Sequence, residues 1–111
     1  MKTIKEMREN DAVKLAEKLN PNPTPEEIEK ARHALRLYYR FTGYYQTAFY
    51  VSQERTATES QRENADSKSD RAFERAKKAL WPYGVEIRCP GLYPCLDNVD
   101  GTSFTYGHFY N

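Results

Sequence analysis

Residues 20–51 read NPNPTPEEIEKARHALRLYYRFTGYYQTAFYV, and the fold turns on this stretch. Asn20-Pro21-Asn22-Pro23 stops any preceding helix, because proline cannot continue one and restricts the residue before it. Thr24-Pro25-Glu26-Glu27 then starts a new helix. Threonine takes the N-cap, proline the first helical position, and Glu27 completes a capping box. The paired glutamates also suit the positive end of the helix dipole. Ile28, Ala31, Leu35, Tyr38, Thr42, Tyr45 and Phe49 step by threes and fours along one stripe, which Ala34, Leu37, Tyr39, Phe41 and Ala48 widen. The spacing predicts a long helix over 25–51 as the spine of the domain. Gly43 lies inside it at a cost of about 1 kcal/mol against alanine, so it is expected to mark a close helix crossing or a bend.

Upstream, Ile4, Met7, Val13, Leu15, Ala16 and Leu19 recur at helical spacing and predict a first helix over 2–19. Downstream, SQERTATESQRENADSKSD (residues 52–70) has only Ala57 and Ala65 as apolar residues. Residues 52–68 are therefore expected to form a polar exposed connection or a helical extension. A third helix follows over 69–80, burying Ala72, Phe73, Ala76 and Leu80, with Arg75, Lys77 and Lys78 near its C-terminal end, where cations are favoured. Trp81-Pro82-Tyr83-Gly84 closes it.

The period then changes. Val85, Ile87 and Cys89 alternate with Glu86 and Arg88, which predicts a half-buried strand. Pro90-Gly91 is a turn. Leu92 to Leu96 is a second strand, held to an edge or a bulge by Pro94. Asp97 to Gly101 is a turn cluster with Asp100-Gly101 as a hairpin signal, and Thr102 to Tyr106 is a third strand. The expected architecture is α+β: three helices followed by a small antiparallel β meander over 85–106, in a single domain spanning residues 1–111.

Composition narrows the function. Apolar residues are 39% and charged residues 30%, while aromatics reach 14%, too many for a disordered chain. The formal net charge is +1, so binding to nucleic acid or an acidic membrane needs a local patch. No apolar run approaches the roughly 20 residues of a membrane span. The charged N-terminus lacks the apolar core of a signal peptide, and a cytoplasmic location without membrane association is expected.

Cys89 and Cys95 are separated by five residues that include two prolines, and no second cysteine pair exists, so reduced thiols are expected rather than a zinc site. Cys89 shares the register of Val85 and Ile87, which places it in the core. Asp97–Gly101 misaligns with a calcium loop, because Leu96 and Gly107 would fall on ligand positions. His33 and His108 are the only histidines, no glycine-rich phosphate loop is present, and the carboxylates lie on charge-balanced helix faces. The chain is therefore expected to be non-catalytic and to need no metal or cofactor.

Two surfaces remain. Arg32, Arg36 and Arg40 recur every fourth residue and are expected to share one helix face with Tyr39 and Tyr44. The alternative is that these arginines pair with Glu6, Glu9 or Asp11 of the first helix. Arginine with tyrosine suits a protein hot spot, and equally stacking with phosphate contact. The tail offers Tyr106, Phe109 and Tyr110 as further aromatic contacts. YGVEIRCPGLYPCL followed by VDGTSFTYG resembles, in general character, small accessory proteins carried by mobile elements, without a motif specific enough to name a family. That resemblance implies a stoichiometric inhibitor or accessory protein of a larger complex. The expectation is a small binding module acting through protein–protein contact, with nucleic-acid binding through the Arg/Tyr face as the alternative. A homodimer would cover the apolar stripe of the long helix.

Overall fold

A computed structural model describes residues 3–89 and 91–105. Helices α1 (Ile4–Glu17), α2 (Pro25–Gln53) and α3 (Glu59–Leu80) precede strands β1 (Val85–Arg88), β2 (Cys95–Asn98) and β3 (Ser103–Thr105). The strands pair antiparallel in the order β1-β2-β3. This is the α+β arrangement expected from the sequence, with the meander packed after the helices.

Each helix starts on a threonine. Thr3 Oγ1 accepts the Glu6 N–H at 3.1 Å. At Thr24 the capping box is complete: the Glu27 N–H donates to Thr24 Oγ1 at 3.2 Å and the Thr24 N–H donates to Glu27 Oε1 at 2.9 Å. Thr58 and Gln61 repeat the exchange at 3.1 and 2.8 Å.

That second box moves the start of the third helix to Glu59 rather than 69, so most of the polar segment is the helical extension and only Glu54–Thr58 connects. The segment also reaches the core, since Ala65 and Ser69 are buried with Ala72 and Ala76. Small side chains let α3 approach α2 closely, and close approach needs no large apolar residue. The core cluster takes Ala31, Ala34, Leu35, Tyr38 and Phe41 from α2 and Ala72 and Ala76 from α3, with Leu15 of α1 and Leu80, Tyr83, Val85 and Leu96. Phe41 meets Phe73 edge-on at 5.4 Å between centroids.

Gly43 is exposed, and a Cβ built there meets nothing within 4 Å, so it marks no close crossing. Leu19 lies beyond α1 and is 59% exposed instead of joining the apolar stripe. Gly84, with φ 69°, ends the 3-10 turn Trp81–Tyr83 in the left-handed region that glycine favours and launches β1.

The second strand is displaced from the expected 92–96. Pro94 has no N–H to offer a ladder, and its carbonyl accepts the Tyr38 hydroxyl. Pairing therefore begins at Cys95, and Asp97 and Asn98, expected in a turn, sit opposite Glu86 and Val85. The turn itself is tighter. Gly101 adopts φ 96°, the Asn98 N–H donates to Thr102 O at 2.7 Å, and Thr102 N–H donates to Asp100 Oδ1 at 2.9 Å. Cys89 lies past the end of β1 and is exposed, which corrects its expected place in the core.

Candidate functional site

The three arginines of α2 do not act together. Each four-residue step turns a side chain about 40° beyond a full helical turn, so Arg32, Arg36 and Arg40 fan across about 80°. Arg32 faces α1, where its Nε donates to Glu9 Oε1 at 2.9 Å and a second nitrogen grips the same carboxylate. It also bonds Glu29, to which Arg36 donates at 3.0 Å. The Arg32 hydrogen bond holds the Glu9 carboxyl below the usual carboxylate range, and reciprocally raises the guanidinium. Arg32 thus pairs with Glu9 of α1, as the alternative reading of the sequence expected, whereas Arg36 pairs with Glu29 of its own helix.

Arg40 turns the other way, towards α3. There it lines a depression of about 220 Å³ with Leu37, Tyr44, Lys68, Arg71, Ala72 and Arg75. Arg40, Lys68, Arg71 and Arg75 are all exposed, and none has an ion pair or side-chain hydrogen bond among the described residues. Of the α3 acids, Asp66 and Asp70 line a cleft on the other side of the α2–α3 hairpin, and Glu74, exposed between Arg71 and Arg75, does not line the depression. A chain of almost zero net charge therefore carries a concentrated positive strip.

The depression belongs to a longer groove. Tyr44 and Lys68 also line an adjoining hollow of about 260 Å³ with Thr47, Val51, Gln61 and Asn64. Farther along the hairpin, Lys30, His33 and Lys78 line a separate hollow of about 320 Å³, closed by Leu19, Pro82 and Tyr83. On α2 the lining includes 30, 33, 37, 40, 44, 47 and 51, and on α3 it includes 61, 64, 68, 71, 75 and 78. Steps of three and four keep each row on one helix face. Glu27 lines the far hollow, but its carboxylate is engaged by Thr24 and Asn20.

Of the residues expected from the sequence to form a binding face, Arg40 and Tyr44 meet in this groove and Arg32, Arg36 and Tyr39 do not. Tyr39 is half-buried under the Arg8 guanidinium, 4.1 Å from its ring centroid, and burial pushes its hydroxyl pKa up. Tyr106, Phe109 and Tyr110 lie outside the described residues. Sequence reasoning missed Lys68, Arg71 and Arg75 as a set. Arg71 and Arg75 lay within the expected helix, but Lys68 fell one residue before its start, so the three were not read as one face.

The opposite cleft, about 350 Å³, is lined by Phe41, Tyr45, Phe49 and Phe73 together with Asp66 and Asp70. Cys89 borders it, and although the residue is exposed, partial desolvation of its thiol against the cleft and then the neighbouring Cys95 raise its pKa, so it is a weak nucleophile at neutral pH. Among the described residues, no group of three or more His, Cys, Asp or Glu side chains is placed to hold a metal ion. No described helix is long and apolar enough to cross a membrane. Compared with known proteins, the chain matches no family model, no curated sequence and no solved structure.

Proposed function

We propose that the protein is a non-catalytic binding module that grips a polyanionic macromolecule in the α2–α3 groove. One observation carries this reading: Arg40 from one helix and Lys68, Arg71 and Arg75 from the other converge on a single depression without acidic partners among the described residues. Arginine and lysine at the surface stay protonated near neutral pH, so they hold anions and do not shuttle protons. Low-dielectric helix walls strengthen the field inside a concave strip and speed the capture of a charged partner.

The test is binding of polyglutamate and of oligothymidylate to the native protein and to the Arg71→Glu/Arg75→Glu variant. Both sites are exposed, so circular dichroism should be unchanged. Affinity for whichever polyanion binds should drop at least tenfold, and for the native protein it should weaken with salt. Equal binding by the variant defeats the reading.

A protein contact is supported on the opposite face, where Phe49 is 42% exposed beside Asp66 and Asp70. Rings and carboxylates around one cleft suit a cationic side chain of a partner. Phe49→Glu should then release a nuclease-resistant partner that Arg71→Glu retains; retention by both variants removes this second surface.

A further inference from the structure

We infer that the occupant of the groove is single-stranded nucleic acid, an inference that rests on the polyanion reading above. Lys68, Arg71 and Arg75 form a straight row about 10 Å long at 1.5 Å per residue, and Arg40 faces them from α2. Fixed cations along one line match a phosphate backbone that runs along the groove.

A duplex cannot take that row into its major groove. It lies in the seam between two helices whose contact is made by Ala65, Ser69, Ala72 and Ala76 of α3, so α2 stands directly beside it. Two helices packed this way are about 20 Å across, wider than the roughly 12 Å major groove that admits one helix. The basic flank of α3 therefore cannot enter, whereas a single strand can lie along the seam.

An acidic amphipathic helix fits less well. Helix-in-groove recognition needs apolar anchor pockets at successive turns. Around the four cations the aliphatic lining is Leu37 and Ala72, joined beyond Lys68 by Val51 and Ala65, too few for an anchor at every turn. Its large ring is Tyr44, which is 39% exposed and borders both hollows beside Lys68. A ring at the Lys68 end of a cationic row is a platform on which a base stacks whatever its sequence.

The experiment is fluorescence anisotropy with the full chain and three probes: an oligothymidylate of about 20 nucleotides, a DNA duplex of the same length, and polyglutamate. The oligothymidylate should bind tightest. Four neutralised phosphates predict a log–log salt slope of roughly −3, about a fifty-fold loss between 50 and 200 mM salt. Tyr44→Leu, which keeps the helix and the bulk but removes the π face, should weaken oligothymidylate about tenfold, and Tyr44→Phe should not. Duplex binding as tight as single strand, tighter binding of polyglutamate, or an unaffected Tyr44→Leu overturns the single-strand inference and leaves the polyanion groove standing. If none of the three probes binds, both fall.

Discussion

The Tyr38 hydroxyl donates a 2.7 Å hydrogen bond to the carbonyl of Pro94, fifty-six residues away and fully buried. It ties the middle of α2 to the residue that feeds β2. It also satisfies a carbonyl that the irregular chain before the strand would otherwise leave unpaired. Tyr38→Phe removes the donor and strands that carbonyl, so stability should fall by about 1–3 kcal/mol. The neighbouring Tyr39 hydroxyl is buried without a hydrogen-bond partner among the described residues. Tyr39→Phe should therefore leave stability unchanged or raise it. Thermal unfolding of the two variants checks the contrast, and a larger loss at Tyr39 would reverse the assignment.

Both phenols also predict an alkaline limit. Burial raises their pKa well above the ordinary value of about 10. A raised pKa means that the folded state keeps its proton where the unfolded state loses it. The stability this contributes is fully present below about pH 10 and is lost as pH climbs from there towards the folded value. Spectrophotometric titration should show Tyr38 and Tyr39 ionising in a cooperative step that coincides with loss of helical circular dichroism. Graded ionisation of every tyrosine with the fold intact would show that Tyr38 and Tyr39 are accessible.

The sheet is anchored to the first helix through a buried polar contact. Thr105 Oγ1 donates to Asp11 Oδ2 at 2.9 Å, and both residues are buried. Thr105→Val keeps the shape and deletes a donor to a buried carboxylate, which should cost about 1.5–3 kcal/mol. Ser103, in the same strand, is exposed, so Ser103→Val should change stability by less than about 0.5 kcal/mol. Denaturant titration of the pair checks whether the anchor depends on the hydrogen bond or on β3 as a whole.

Much of this was legible in the chain before the structure. Thr24-Pro25-Glu26-Glu27 carries its own stop, cap and start, so α2 begins where the local chemistry demands. The alternation of Val85 and Ile87 and the Asp100-Gly101 turn pointed to the meander. Helix α3 was cut short because a search for large apolar residues does not see a seam made by Ala65, Ser69, Ala72 and Ala76. At a close crossing the buried side is made of small residues, and hydrophobicity is a poor guide to it. Starting α3 at 69 also left Lys68 outside the helix and hid its register with Arg71 and Arg75. The arginines of α2 failed for another reason. Spacing by four preserves a face for one step, and by the second step the helix has rotated the residue towards a different neighbour.

That rotation gives the sharpest test of where binding resides. Arg32→Glu places three carboxylates together, since Glu9 and Glu29 already meet at that position. It should lower stability by about 1 kcal/mol, a modest sum because the pairs are solvent-exposed and screened. It should leave oligothymidylate affinity within about twofold, because the side chain faces α1 and the charge acts only at long range. Arg40→Glu reverses the pattern. No ion pair is broken among the described residues, so stability should stay within about 0.5 kcal/mol. The cation facing Lys68, Arg71 and Arg75 becomes an anion that pairs with them and competes with the ligand, so affinity should drop tenfold or more at low salt. Denaturation and anisotropy on the same two proteins separate the roles. If Arg32→Glu weakens binding as much as Arg40→Glu does, the contact surface is the continuous arginine face of α2, and the groove against α3 is not its centre.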